Sequence, residues 1–141
     1  MSQSLVKNYI HIVFSTKYRQ PLIKPPFEQP LHEYLGGTCK ALDCQPLIVG
    51  GYTDHVHILC MLSKKIALME LLQKVKASSS KWIKTQDDSL QNFYWQDGYG
   101  AFSVNYRKIE VVRVAKSIRD DVAAGKIGTQ THECAGLRLL D

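Results

Sequence analysis

Cysteine is too sparse and too scattered in this sequence to build a metal cluster or a disulfide framework. No Cys-x-x-Cys pair occurs among the four cysteines, which are Cys39, Cys44, Cys60 and Cys134. We therefore expect reduced, unligated thiols. A chain of 141 residues is long enough to bury a core without such crosslinks. The absence of repeats and linkers predicts a single domain over residues 1–141.

Long apolar runs are missing as well. The longest is "ILCML", residues 58–62, far short of the roughly 20 residues that span a bilayer. The first residues, "MSQSLVKNYI", lack the charged start and apolar stretch of a secretory signal. These absences favour a cytoplasmic protein that has no membrane partner.

Several catalytic motifs are absent, and each absence excludes a class of enzyme. The chain has no Gly-x-Ser-x-Gly elbow and no Walker loop. None of its five histidines is followed two positions later by Ser or Thr, as a two-histidine phosphodiesterase requires. What the chain does have is a basic balance, with 18 Lys and Arg against 13 Asp and Glu, a net charge of +5. This excess favours a polyanionic partner.

Hydrophobic periodicity predicts an alternation of strands and helices. The stretch "YIHIVFSTK" alternates as a first strand, and the proline-rich "YRQPLIKPPFEQP" is expected to interrupt regular structure before a helix over about 28–43. Then "QPLIVGGYTDHVHILCML" reads as two strands joined by a tight turn, and Ser63 is expected to cap a helix to about Lys84. A strand in "YGAFSV" and a helix over about 107–124 follow.

This order is typical of an α+β fold. We predict a ferredoxin-like or RRM-like antiparallel sheet with helices on one face and the other face free for a site. In the "DHVHILCML" strand, the residues Val56, Ile58 and Cys60 point towards the helices, whereas His55 and His57 point to the free face.

The His-x-His pair is the first candidate for chemistry. Side chains two positions apart in a strand leave the same face with Cα atoms about 6–7 Å apart, so His55 and His57 could converge on one divalent ion. The alternative is two half-exposed imidazoles satisfied by water or backbone. Asp54, directly before the pair, could orient an imidazole or shape the turn.

The second candidate is the helix that carries "KASSSKW". Its exposed faces hold one acid, Glu70, and six lysines, which are Lys64, Lys65, Lys74, Lys76, Lys81 and Lys84. Ammonium groups, hydroxyls and the Trp82 ring are the groups that contact phosphates and stack on unpaired bases. A solvated basic face with Trp82 in the core is the alternative. The rings of "FYWQDGYGAF" are open to the same two interpretations, stacking platform or core.

Together, "YIHIVFSTKYRQPLI", "GGYTDHVHILCML", "KASSSKW" and "FYWQDGYGAFSV" resemble the HUH-type single-tyrosine transposases of small bacterial insertion sequences, the IS-two-hundred-like group, over residues 7–112. The resemblance implies a homodimer that binds single-stranded DNA with hairpin ends and holds Mg²⁺ or Mn²⁺ on His55 and His57. It also implies a tyrosine on the last helix that attacks a DNA phosphate, forms a 5′-phosphotyrosine link and releases a 3′-OH. The DNA backbone would be held by Lys76, Ser78, Ser79, Ser80, Lys81 and Lys84.

One departure from the family concerns the nucleophile. Members carry a Tyr-Ile-x-x-Gln-like motif on the helix that begins here near Lys108, but no tyrosine follows Tyr106 and the only later glutamine is Gln130. Either Ala115 or Ser117 stands near the place of the nucleophile. Tyr106, about nine residues earlier, is the nearest substitute.

Residues 113–141 do not resemble the family. A shifted reading frame or decay of the insertion sequence would explain this difference. Three interpretations therefore stay open. The chain is a transposase, a nucleic-acid-binding relative that has lost its chemistry, or a plain metal-dependent hydrolase.

Overall fold

The computed structural model describes residues 7–105. The predicted helix over about 107–124 and Tyr106 lie outside this range. Four strands and two helices follow one another along the described chain: β1 (Tyr9–Ser15), α1 (Pro25–Ala41), β2 (Gln45–Tyr52), β3 (His55–Met61), α2 (Leu68–Ile83) and β4 (Gly100–Ser103). Single 3₁₀ turns lie at Lys17–Arg19 and Asp88–Leu90.

The four strands form one antiparallel sheet in the order β2-β3-β1-β4. A βαβ–βαβ chain with this strand order is the ferredoxin-like split βαβ layout. Both helices pack on the same face of the sheet, where residues of β1, β3, α1 and α2 share one buried cluster. The α+β prediction is confirmed. Within the described range no helix is both long enough and apolar enough to cross a membrane.

The two faces of the sheet differ sharply in chemistry. The face towards the helices is apolar and includes Ile12, Val56 and Ile58, each at most 1% exposed. The opposite face carries His11, His55 and His57, because side chains alternate along a strand. Contrary to the expectation of a free face, these imidazoles are buried, with 1%, 2% and 3% of their surface exposed.

The helix α1 begins earlier than the sequence predicts. Its first residues are Pro25 and Pro26, and Pro30 lies inside it. Proline is compatible with the first turn because the amide hydrogens there have no partner within the helix. The predicted helix over about 28–43 includes Pro30 but leaves out Pro25 and Pro26, so the prediction of its start was wrong.

The start of α2 also differs from the prediction. Ser63 does not cap this helix, whose N-cap is Ala67 without a side-chain bond. The Ser63 hydroxyl oxygen instead accepts the backbone N–H of Lys65 at 3.1 Å, which stabilises a separate turn before α2. Met69, the second residue of α2, is 62% exposed.

Two glycines provide a matched test of the fold. A Cβ on Gly51 would overlap the backbone carbonyl oxygen of His55 and come within 2.8 Å of the Val56 Cα. We expect Gly51→Ala to lower the free energy of unfolding by about 2–3 kcal/mol, because these backbone atoms cannot yield without disrupting the β2–β3 pairing.

The control is Gly37→Ala in α1, where an added Cβ meets nothing within 4 Å. This substitution should raise stability by about 0.5–1 kcal/mol, because alanine has the higher helix propensity. Urea titrations of both variants measure the two effects. Equal stability of both variants and the parent would contradict the described β2–β3 turn.

Candidate metal centre and nucleic-acid interface

Three histidines meet on the face of the sheet away from the helices. The Nδ1 atom of His57 lies 2.9 Å from Nε2 of His11, and the two rings stack with centroids 5.1 Å apart. The His55 ring meets the His57 ring edge-on, with centroids 4.9 Å apart. The structure therefore brings the predicted His-x-His pair together and adds His11, which the sequence analysis did not single out.

His11 reaches His57 through the pairing of β1 with β3. Val13 is the direct partner of His57, and Leu59 is the direct partner of His11. His11 and His57 are thus diagonal neighbours on one face, a distance that long or aromatic side chains can bridge. Sequence periodicity places His11 on this face, but only the strand register shows which imidazole it touches.

Asp54 binds the other imidazole. Its Oδ1 atom lies 2.8 Å from Nδ1 of His55, and its Oδ2 atom accepts a hydrogen bond from Arg19 Nε at 3.1 Å. Its backbone carbonyl accepts the N–H of Thr16 at 2.9 Å. Asp54 therefore has both of the predicted roles: its carboxylate accepts a hydrogen bond from the imidazole, and its backbone is part of the turn.

The charge of Asp54 is stabilised by these partners. Partial burial raises the pKa of its carboxyl group, but the hydrogen bonds from His55 and Arg19 outweigh burial and lower the pKa overall. Asp54 is thus a carboxylate at neutral pH and acts as a hydrogen-bond acceptor on both sides.

Arg19 is positioned by a strained loop. Tyr18 and Arg19 have φ angles of 58° and 54°, in the left-handed region, which costs a residue with a side chain about 1–2 kcal/mol. Several hydrogen bonds hold the loop; among them, Thr16 Oγ1 donates to the Gln20 carbonyl at 2.7 Å, and the Tyr18 N–H donates to Gln96 Oε1 at 3.2 Å. The strain is maintained by contacts that keep Arg19 beside Asp54.

A cavity of about 300 Å³ opens beside His55. This volume lies at the lower end of ligand sites in proteins. The Arg19 side chain, 51% exposed, and the Tyr99 ring contribute to its wall. The remaining lining residues are Val13, Phe14, Ser15, Gln96, Asp97, Gly98 and Gly100. A ligand in this cavity would lie against the His55 imidazole.

The histidine pair suits a loosely held divalent cation. Among residues 7–105, no group of three or more His, Cys, Asp or Glu side chains has the arrangement of a metal site, so a closed structural site is not built there. Because the Nδ1 atoms of His55 and His57 are engaged, the Nε2 atoms are the candidate ligands. Two imidazoles suit an ion whose other ligands are water and substrate oxygens.

The lysine-rich helix lies on the other side of the sheet. Val75 and Ile83 of α2 belong to the buried cluster that contains Ile58 and Cys60 of β3. The structure therefore separates the histidine pair from the predicted DNA-contacting residues of "KASSSKW". The segment 93–100 connects the two sides, since it passes α2 and then enters β4.

Lys76 is directed at that segment. Its ammonium group donates to the carbonyls of Gln96 at 2.8 Å and Gly98 at 2.6 Å, and it lies 5.5 Å from the centre of the Phe14 ring. Desolvation lowers the pKa of Lys76, and the opposing charge of Asp97 offsets only part of this effect. Lys76 thus stabilises the loop that lines the cavity next to His55.

The three serines of "KASSSKW" occupy different environments. Ser78 and Ser80 are half-buried, and their hydroxyls donate to the carbonyls of Lys74 at 2.7 Å and Phe93 at 3.4 Å. Ser79 is fully buried; it donates to the Val75 carbonyl at 2.6 Å and accepts the indole N–H of Trp95 at 2.9 Å. Its hydroxyl therefore has no exposed surface for a phosphate.

The position of Ser79 leads to a prediction. Ser79→Ala removes the acceptor of the Trp95 indole N–H, and an unsatisfied buried donor costs about 1–3 kcal/mol. We expect a loss of stability in that range, measured by urea unfolding, and unchanged DNA affinity in the folded variant. The matched control is Ser78→Ala, which should change stability by less than about 0.5 kcal/mol. A loss of DNA affinity specific to Ser79→Ala would contradict this assignment.

The outer residues of the basic helix remain accessible. Lys81 is exposed. Lys84 donates to Ser80 Oγ at 3.3 Å, and its ammonium lies 4.0 Å from the centre of the Tyr94 ring. Tyr94 is 53% exposed, so this lysine–tyrosine pair presents a cation and an aromatic ring together.

The other aromatic residues divide between core and surface. Phe93 and Trp95 are buried, which confirms the core interpretation for these two rings of "FYWQDGYGAF". Trp82 stacks on Tyr34 with ring centres 4.7 Å apart. Tyr99 is 42% exposed and, with Tyr94, is available for stacking.

The sheet order and the histidine-bearing face define a ferredoxin-like α+β domain with a candidate metal centre. The family described as "Transposase IS200 like" matches residues 4–114 of this chain, and the chain belongs to that family. No curated protein matches the sequence.

Two solved structures are similar in fold. One is a protein from Deinococcus radiodurans R1 that is described as a transposase, solved at 1.90 Å, with 14% identity and a TM-score of 0.65 over 85% of this chain and 95% of that one. The other is a REP-associated tyrosine transposase bound to a REP hairpin, with 14% identity and a TM-score of 0.61 over 90% of this chain and 76% of that one. At this identity the likeness describes the fold.

Proposed function

We propose that this transposase binds single-stranded DNA with hairpin ends and cleaves and rejoins it with a divalent cation, Mg²⁺ or Mn²⁺, held by His55 and His57. The observation that carries the proposal is the pair of adjacent imidazoles whose Nδ1 atoms are both engaged, beside a cavity that opens at His55. Membership of the transposase family supports the reaction class.

Each part of the proposed site has a separate task. The cation, when bound, polarises the scissile phosphodiester and neutralises charge on its oxygens. His55 and His57 hold it, and the cavity lined by Arg19 and Tyr99 receives the nucleotide next to the scissile bond. Tyr106 is the proposed nucleophile: its phenol loses its proton and bonds to the 5′-phosphorus, while the 3′-oxygen leaves and takes up a proton.

A hairpin DNA partner is supported by charge and by a relative. The REP-associated transposase with this fold is bound to a REP hairpin, and this chain carries a net charge of +5. We propose that Lys81 and Lys84 contact the phosphates, with Ser78 and Ser80 beside them. Lys76 stabilises the loop that lines the cavity. Ser79 stabilises the core, where it accepts the indole N–H of Trp95. The homodimer implied by the family is testable by light scattering on the purified protein.

A second candidate function is hairpin binding without cleavage. It is favoured by the sequence beyond Tyr106, which contains no tyrosine and places its only glutamine at position 130. A chain of this kind would keep the basic helix and the histidine pair but would form no covalent link to DNA.

The deciding experiment incubates the protein with Mn²⁺ and labelled hairpin DNA and resolves the products on a denaturing gel. A covalently shifted band that disappears in Tyr106→Phe supports the proposed reaction. A band that persists in Tyr106→Phe assigns the nucleophile to another residue. Binding on a native gel without any shifted band supports the second candidate, and nicked DNA without an adduct identifies a metal-dependent hydrolase.

A further inference from the structure

Each imidazole of the His-x-His pair is held at the same ring atom by a different partner. His55 uses Nδ1 towards the carboxylate of Asp54 at 2.8 Å, and His57 uses Nδ1 towards Nε2 of His11 at 2.9 Å. The partners come from different parts of the fold, Asp54 from the turn before β3 and His11 from β1. Two partners from separate parts of the fold therefore contact the same atom, Nδ1, of the two histidine rings.

The carboxylate partner fixes the proton on His55. Asp54 is a carboxylate and can only accept a hydrogen bond, so the proton of a neutral His55 ring lies on Nδ1. The lone pair of that ring is then on Nε2, the atom that binds a metal in this tautomer. Arg19 holds the second carboxylate oxygen at 3.1 Å and keeps Asp54 in place.

The bond between two histidines permits two arrangements, and these differ in their consequence. If His11 donates from Nε2, the Nδ1 atom of His57 accepts, and the His57 proton lies on Nε2, where it blocks a metal. If His57 donates from Nδ1, its Nε2 carries a lone pair, and the His11 proton lies on Nδ1. Only the second arrangement gives His57 the same tautomer as His55.

We propose that His11 and Asp54 are positioning residues that preset both imidazoles in the Nδ1–H tautomer, so that two Nε2 lone pairs serve one divalent cation. This inference rests on the proposed metal site of His55 and His57. It assigns a role to His11, which is only 1% exposed and thus reaches the metal site through His57. Residues that orient histidine ligands in this way typically contribute about 10–100-fold to metal affinity.

The first test is long-range ¹H–¹⁵N correlation NMR on the metal-free wild-type protein, since ring nitrogen shifts distinguish the tautomers. We expect the Nδ1–H form for His11, His55 and His57. An Nε2–H form for His57 would overturn the inference. Because this measurement uses neither metal nor DNA, it remains informative even if the proposed function fails.

The second test compares variants by isothermal titration with Mn²⁺. His11→Phe keeps a ring of similar size against His57 but removes the acceptor, and it should weaken Mn²⁺ binding by about 10–100-fold. His11→Gln, whose amide oxygen can accept the Nδ1 hydrogen, should recover most of the affinity. A purely structural role for His11 would give no such recovery, and equal affinities of His11→Phe and wild type would refute the proposal.

Two further substitutions complete the design. Asp54→Ala should weaken Mn²⁺ binding to a similar extent, whereas Asp54→Asn keeps an acceptor oxygen and should have the smaller effect. The control is His32→Phe, the same substitution at a buried histidine of α1, on the helix side of the sheet, and it should leave Mn²⁺ affinity unchanged. If the wild type binds no Mn²⁺, the proposed metal site fails, whereas a failed tautomer assignment with intact Mn²⁺ binding refutes this inference alone.

Discussion

Simultaneous replacement of His55 and His57 by alanine is expected to abolish Mn²⁺ binding while hairpin DNA affinity changes by less than about threefold. The loss follows because both candidate metal ligands are removed, and no group of three potential ligands within residues 7–105 could replace them. DNA affinity should persist because the basic helix α2 packs on the opposite face of the sheet. Isothermal titration with Mn²⁺ and a native gel shift without metal measure the two quantities.

The control for this variant is His32→Ala, which removes a buried imidazole from α1. It should reduce stability but leave both Mn²⁺ and DNA affinities unchanged in the folded protein. Unchanged Mn²⁺ affinity in the double histidine variant would refute the assignment of these residues as metal ligands. A large loss of DNA affinity without metal would mean that the histidine face itself holds the nucleic acid.

The second large effect concerns the basic helix. Lys81→Ala combined with Lys84→Ala should weaken hairpin binding roughly 10–100-fold at 0.1 M salt and reduce the slope of log K against log salt by about two. Lys81 is exposed, and Lys84 lies over the exposed Tyr94 ring. Both cations can therefore reach phosphates, whereas Lys76 is bound to backbone carbonyls.

The removal of a single lysine charge from the other helix serves as the control. Lys40→Ala removes an exposed lysine near the end of α1 and should alter the salt slope by less than half as much as the double variant. Fluorescence anisotropy of a labelled hairpin over a salt series measures both slopes. Equal slopes for the double lysine variant and the parent would show that α2 does not contact the DNA.

Much of the fold could be predicted from the sequence, because alternation along the strands is strong and local. The faces of β1 and β3 follow directly from residues such as Ile12, Val56 and Ile58. The predictions of the helix starts were wrong at residues whose type has more than one common structural role. The sequence predicts a break at Pro25, which stands in the first turn of α1, and a helix cap at Ser63, which bonds within its own turn.

The candidate site was predicted only in part. The spacing of His55 and His57 in a strand is a local signal, and the structure places the two rings side by side. The contact between His11 and His57 depends on the β1–β3 register. The hydrophobic pattern fixes only the face on which each side chain lies, and no hairpin turn joins β1 to β3 and sets their alignment. The burial of Ser79 depends in the same way on a long-range partner, the indole of Trp95.

The central claim is that His55 and His57 hold one divalent cation. The most direct measurement is an anomalous difference map from a crystal soaked in Mn²⁺ and recorded at the manganese absorption edge. The account predicts a single strong peak between the Nε2 atoms of His55 and His57, within bonding distance of both, and its absence from crystals of the double alanine variant. A map with no peak at this position, or with manganese bound elsewhere in the chain, would contradict it.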